Sequence, residues 1–164
     1  MGDWRNDRVL SAVDGRNPTV IAELGAAFAV IGDVQFLPGY ALALTKTHGV
    51  DRLTDLPRGE RVRFLADVDL VATAVEAVCS ARDPQYRRIN VEILGNTDHF
   101  LHAHVWPRYE WEPGDLVGMP VWAYPAERWG DPGTLLGPHH DELRSALAVE
   151  VARLQNSVEF RFNV

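Results

Sequence analysis

Between residues 19 and 45 the apolar positions come in short runs separated by turn-forming pairs, a pattern of strands rather than of a helix. Thr19 to Leu24, Phe28 to Ile31 and Tyr40 to Thr45 are three such runs. Gly25-Ala26 and Pro38-Gly39 supply turns, and Asn17-Pro18 sets off an N-terminal segment, residues 3–13, that is expected to be helical. After Leu56-Pro57 the period changes. Phe64, Leu65, Val68, Val71, Ala72, Val75, Val78 and Cys79 recur every three or four residues, which predicts a helix of about six turns with one apolar stripe. Asp83-Pro84 ends it.

Alternation then returns. In 87–94 one face carries Ile89, Val91 and Ile93 and the other Arg88, Asn90, Glu92 and Leu94; in 100–106 Leu101, Ala103 and Val105 oppose Phe100, His102, His104 and Trp106. For the apolar faces of these strands to share one core, paired residue numbers must sum to an even value. The tightest such register pairs Leu94 with Phe100, Glu92 with His102 and Asn90 with His104. Residues 111–138, with five Pro, five Gly and Trp111, Trp122 and Trp129, are expected to form an ordered loop held by aromatic packing. A last helix is predicted over 138–155. The order of elements implies an α+β fold: an antiparallel sheet of about five strands, a long crossing helix and a C-terminal helix.

Composition narrows the picture. The 164 residues suit a single domain over 1–164, with the motif-bearing core in about 28–110 and a Trp/Pro/Gly-rich segment and C-terminal helix in 111–164. A net charge of −7 argues against a long nucleic acid as partner, because that binding neutralises many phosphates. No apolar run reaches membrane-spanning length, so no membrane partner is expected. Cys79 is the single cysteine, which leaves no intrachain disulfide and no cysteine metal cluster. With no secretory pattern at the N-terminus, a cytoplasmic protein is expected.

The candidate chemistry sits on the strand at 100–106. His102 and His104 leave the same face, held by a hydrogen-bonded backbone. Two histidines so placed suit either a nucleophile with a partner or a metal pair to which His99 adds a third ligand. The preceding loop, Gly95-Asn96-Thr97-Asp98-His99, is small and polar, as a phosphate-holding loop is.

Taken together, Gly95 through Arg108 resembles the signature of the histidine-triad superfamily: a Gly-polar-Thr loop, histidines alternating with apolar residues, and a Pro-Arg close at Pro107-Arg108. Phe28 through His48 resembles that family's early hairpin. The resemblance covers residues 28 to 110, and its nearest branch is the dinucleoside polyphosphate (diadenosine tetraphosphate) hydrolases. It implies hydrolysis or transfer at the α-phosphate of a nucleotide through a covalent nucleotidyl-histidine, with no cofactor or metal and with a homodimer as the assembly. Carried over residue by residue, His102 is the nucleophile and His104 contacts the phosphate or leaving-group oxygen. Asn96 and Thr97 hold the phosphate, Asn90 is the polar residue of the preceding strand, and Asp33 meets the ribose hydroxyls. Phe100 replaces the first histidine, Tyr40 stands where many members carry a further histidine, and Asn96 replaces the usual Gln. Glu92 is the expected compensation, orienting His102 or activating water; Trp106 and Arg108 are further candidates for ligand contact. Three other readings stay open: a nucleotidyl transferase or phosphoramidate hydrolase, a non-catalytic nucleotide-binding protein, and a metal-dependent enzyme using His99, His102 and His104.

Overall fold

The computed structural model describes residues 3–160. Five strands form one antiparallel sheet in the order β1-β2-β3-β5-β4: β1 Val20–Glu23, β2 Ala27–Ile31, β3 Ala41–Thr45, β4 Tyr86–Glu92 and β5 His102–Tyr109. The expected α+β class therefore holds. The N-terminal segment is not one helix. A 3-10 turn over Trp4–Asn6 stops at Asp7, whose carboxylate accepts from Leu10 N and opens α1, Arg8–Val13.

The predicted long helix is α2, Arg58–Arg82, whose buried residues Phe64, Val68, Val71, Val75, Val78 and Cys79 fall on the stripe read from the sequence. It packs on β2, β3, β4 and β5, and α4, Asp141–Gln155, packs on α2 and β1. Ala27, Ala29, Ala41, Ala43, Ala103 and Val105 lie in the shared core; the small residues let the helix approach the sheet. The β1–β2 turn is tied to α2 by Asp67, which accepts from the amides of Ala26 and Ala27 at 2.6 and 2.9 Å. Gly39 turns into β3 with φ +101°, and a Cβ there would lie 2.2 Å from Cys79 Sγ, so only glycine fits. Among the described residues no helix is long and apolar enough to cross a membrane.

The parity of the β4–β5 pairing is as expected, but the register differs by two residues. Glu92 pairs with His104 and Asn90 with Trp106, not with His102 and His104. The cause lies between the strands. Leu101 N donates to Val50 O, and Thr45 N donates to Leu101 O, so residue 101 is tied to the 45–50 loop before β5 begins. The connection is longer than the tightest hairpin, and Phe100 lies outside the strand.

Candidate active site

β5 lies between two strands. Leu44 and Leu42 of β3 pair with His102 and His104, and Glu92 of β4 pairs with His104 from the other side. Both imidazoles are buried, at 4% and 6% exposure. Their ring nitrogens form one chain. His102 Nδ1 lies 2.8 Å from Phe100 O, His102 Nε2 lies 3.0 Å from His104 Nε2, and His104 Nδ1 lies 2.7 Å from the Tyr40 hydroxyl. A carbonyl only accepts, so the His102 proton resides on Nδ1 and leaves a lone pair on Nε2. His104 then donates from Nε2, and its Nδ1 accepts from Tyr40. The chain of donors runs from Tyr40 through His104 to His102 and ends at Phe100 O.

Burial is the main force keeping the pair neutral. It lowers the pKa of His102 against the opposing pull of the Phe100 carbonyl, and it depresses His104 to about 3, with the neighbouring His102 adding to the effect. Burial likewise pushes the Tyr40 hydroxyl well above its ordinary value, so it stays a donor. The Tyr40 ring stacks on Trp106, with centroids 3.4 Å apart and planes within 7°. A Cβ at residue 32 would meet the Tyr40 ring at 2.1 Å, so Gly32 is needed for it to fit.

The histidines front two clefts. The first, of about 270 Å³, is lined by apolar residues including Val30, Leu42 and Leu44 and by the polar Arg8, Asp33, Asn17 and Thr19. Arg8 reaches it from α1 and donates to both oxygens of Asp33, at 3.3 and 2.5 Å. The second, of about 490 Å³, is lined by Leu94, Asn96, Thr97, Asp98 and Trp122. His102, His104, Asp98 and Trp122 border both. The structure thus gathers His102, His104, Tyr40, Asp33, Asn96 and Thr97 around one centre.

Five other sequence candidates lie elsewhere. Glu92 does not reach His102; its carboxylate accepts from Trp122 Nε1 at 2.8 Å. Asn90, with its amide oxygen turned to the guanidinium, accepts from Arg108 at 3.2 Å, and it borders neither cleft. Trp106 is fully buried behind Tyr40 rather than exposed to a ligand. The His99 side chain is 86% exposed, 3.9 Å from Asp51. Among the described residues no group of three His, Cys, Asp or Glu side chains is placed to hold a metal ion.

Arg108 is the fifth, and it organises the segment that follows. Its side chain and that of Glu112 are 3% and 0% exposed. Nε and Nη2 donate to the Glu112 carboxylate at 2.7–3.0 Å. Nη1 donates to Met119 O, and Nη2 to Leu116 O and Val117 O. Tyr109 N and the Tyr124 hydroxyl fill the remaining acceptor positions on Glu112. This knot folds residues 110–138 back over β5 and sets the 3-10 turn Val121–Ala123 and α3, Ala126–Trp129, beside the histidines. Trp122 and Trp129 stack with centroids 4.9 Å apart and planes 6° apart, and Trp122 meets His104 in a T-shaped pair with centroids 4.9 Å apart. Sequence reading missed Arg8, Trp122 and Trp129 as site residues, because each reaches the centre through a tertiary contact.

Comparison with known proteins bears on the family and the fold. Residues 16–111 match the family model of the HIT domain. No curated protein matches the chain. Among solved structures it is similar to a hypothetical histidine triad nucleotide-binding protein from Sulfolobus tokodaii, at 14% identity and TM-score 0.65 over 92% of this chain and 95% of that one. A histidine triad protein from Sinorhizobium meliloti aligns at 20% identity and TM-score 0.62 over 93% and 95%. A zinc-bound histidine triad family protein from Mycobacterium smegmatis aligns at 23% identity and TM-score 0.60 over 88% and 91%.

Proposed function

The chain belongs to the HIT domain family, and we propose that it is a nucleotide hydrolase or nucleotidyl transferase in which His102 attacks an α-phosphorus. The observation that carries this is the fixed tautomer of His102. With Nδ1–H held by Phe100 O and both rings neutral, the Nε2 lone pair is a ready nucleophile at the junction of two clefts. Attack forms the N–P bond as the P–O bond to the leaving group breaks. His104 Nε2–H, which faces His102 at rest, turns its hydrogen bond to the departing or non-bridging oxygen. Water then displaces the imidazole from the same phosphorus, and the water proton passes to solvent.

The neutral His104 bears on the choice of leaving group. Burial keeps the resting His104 ring neutral, so it offers the leaving group a hydrogen bond rather than the full proton of an imidazolium. A phosphate leaves as an anion and needs only that bond, whereas an amine or alcohol needs a full proton. This favours phosphoric anhydrides over phosphoramidates, and a dinucleoside polyphosphate such as diadenosine tetraphosphate is the leading substrate. The attacked nucleoside lies in the first cleft, its ribose hydroxyls donating to Asp33, while Asn96 and Thr97 meet the phosphates. A second copy pairs along the edge strand β4, where Val91 is 45% exposed.

Intact-protein mass spectrometry after brief mixing with diadenosine tetraphosphate tests the proposal. A nucleotidyl adduct is expected on the parent and absent from His102→Ala. Tight binding with neither adduct nor turnover would establish a nucleotide-binding protein instead.

A further inference from the structure

The HIT domain match ends at residue 111, yet the chain continues into a segment that reaches the histidines. Within it Trp122 is 44% exposed although it is fixed on three sides. One face stacks on Trp129, the ring meets His104 in a T-shaped contact, and Nε1 donates to Glu92. A large apolar ring held rigid but left open to solvent, beside a nucleophile, is a surface prepared for another ring.

The second cleft fits such an occupant. Trp122 and Leu94 line it, together with Asn96, Thr97 and Asp98. Neither Lys nor Arg borders it among the described residues, and Asp98 adds a negative charge. Such a cleft holds phosphates only through neutral donors, Asn96 and Thr97, and beside them it offers an apolar face and an acidic hydrogen-bonding group. A nucleobase has the matching chemistry, with a flat π-face and amide-like donors and acceptors at its rim.

We propose that Trp122 is the stacking platform for the base of the leaving half of the substrate, so that the segment beyond the HIT domain selects what departs. The proposal rests on His102 as the nucleophile only for the direction of attack. The stacking itself is read by binding alone.

The test uses the full chain carrying His102→Ala, which holds ligand without turnover. Affinities for diadenosine tetraphosphate and for adenosine 5′-tetraphosphate, which lacks the second nucleoside, are measured by calorimetry. The parent variant is expected to prefer the dinucleotide by roughly ten- to a hundredfold, the scale of one base stacked on an aromatic ring. Adding Trp122→Ala should collapse that preference, and Trp122→Phe should restore most of it. Equal affinity for the two ligands before Trp122 is changed, or a preference that survives Trp122→Ala, overturns the proposal. The adduct experiment is read separately, so loss of the nucleophile assignment and loss of the platform are distinguishable.

Discussion

Strand β5 and the segment at 110–138 meet at Arg108, and they hold their functional groups in opposite ways. In β5 the histidines are placed by ladder hydrogen bonds to strands on either side. The backbone does the positioning, and the side chains are free to carry chemistry. In 110–138 backbone pairing of that kind is confined to one bridge, Leu135 with Val34, well beyond Trp122 in the chain. One buried carboxylate and one buried guanidinium gather the carbonyls of residues 116, 117 and 119 and so set Trp122 in place. A change in the first region should therefore alter reaction while sparing shape. A change in the second should alter shape first and recognition as its consequence.

The largest expected effects test that contrast directly. His102→Ala should lower turnover by about a thousandfold or more, the scale of removing a catalytic nucleophile, while circular dichroism stays that of the folded chain. Glu112→Ala should do the reverse. It leaves the Arg108 guanidinium buried without its carboxylate, which costs about 3–5 kcal/mol of stability, read from urea denaturation followed by tryptophan fluorescence. If Glu112→Ala is as stable as the parent, the ion pair does not organise the segment.

Intermediate effects come from the proton chain. Tyr40→Phe keeps the stack on Trp106 but removes the donor to His104 Nδ1, and loss of one such bond, about 1–2 kcal/mol, should slow turnover by about tenfold. The pH profile has a definite sign. Both histidines have folded pKa values below the ordinary 6.5, so kcat/KM should stay level as pH falls through 6.5 and drop only on the more acidic side. Stability runs in parallel. The contribution of these neutral rings is present above pH 6.5, where the unfolded chain also holds them neutral. It is lost as pH falls from there toward the His104 value of about 3, because the unfolded state binds the protons first. An acid limb of kcat/KM centred at or above pH 6.5 would show that the rings are not desolvated in this way.

Much of this was legible from periodicity alone, because period is what burial imposes. The stripe of α2 and the alternation of β5 put Phe64, Val75, Ala103 and His102 on their observed sides. The sequence also put His102 and His104 on one face beside the Gly95–His99 loop, through a spacing that local backbone geometry preserves. What stayed hidden depends on contacts distant in sequence. The Leu101 bonds to Val50 and Thr45 lengthen the β4–β5 connection and move Glu92 from His102 to His104, although parity survives. Arg108 and Glu112 stand four residues apart, a spacing equally suited to an exposed pair, and only the enclosed carbonyls show them as structural. Arg8 arrives from α1 to occupy Asp33, and no local pattern connects the two. Gln35, whose buried amide donates to Gly32 O and Tyr40 O, builds the turn before β3 without any turn-forming character of its own.

The smallest expected effect separates the two regions most cleanly, because it falls on the bond that joins them. Glu92 belongs to β4 of the sheet and Trp122 to the segment beyond β5, and the single bond between their side chains, from Trp122 Nε1 to the carboxylate, is exposed. Its removal in Glu92→Ala should cost at most about 1 kcal/mol of stability, and the His102–His104 chain has no contact to lose. Trp122 would keep its stack on Trp129 but lose the acceptor that fixes its rotation. Fluorescence anisotropy decay should therefore show a faster-moving indole, and the dinucleotide preference should fall by a few-fold rather than collapse. Nucleotidyl adduct formation, once ligand is saturating, should proceed at the parent rate. If Glu92→Ala instead abolished adduct formation at saturation, the carboxylate would act on the histidines themselves, and the division between a ladder-built reaction centre and an ion-pair-built recognition wall would not hold.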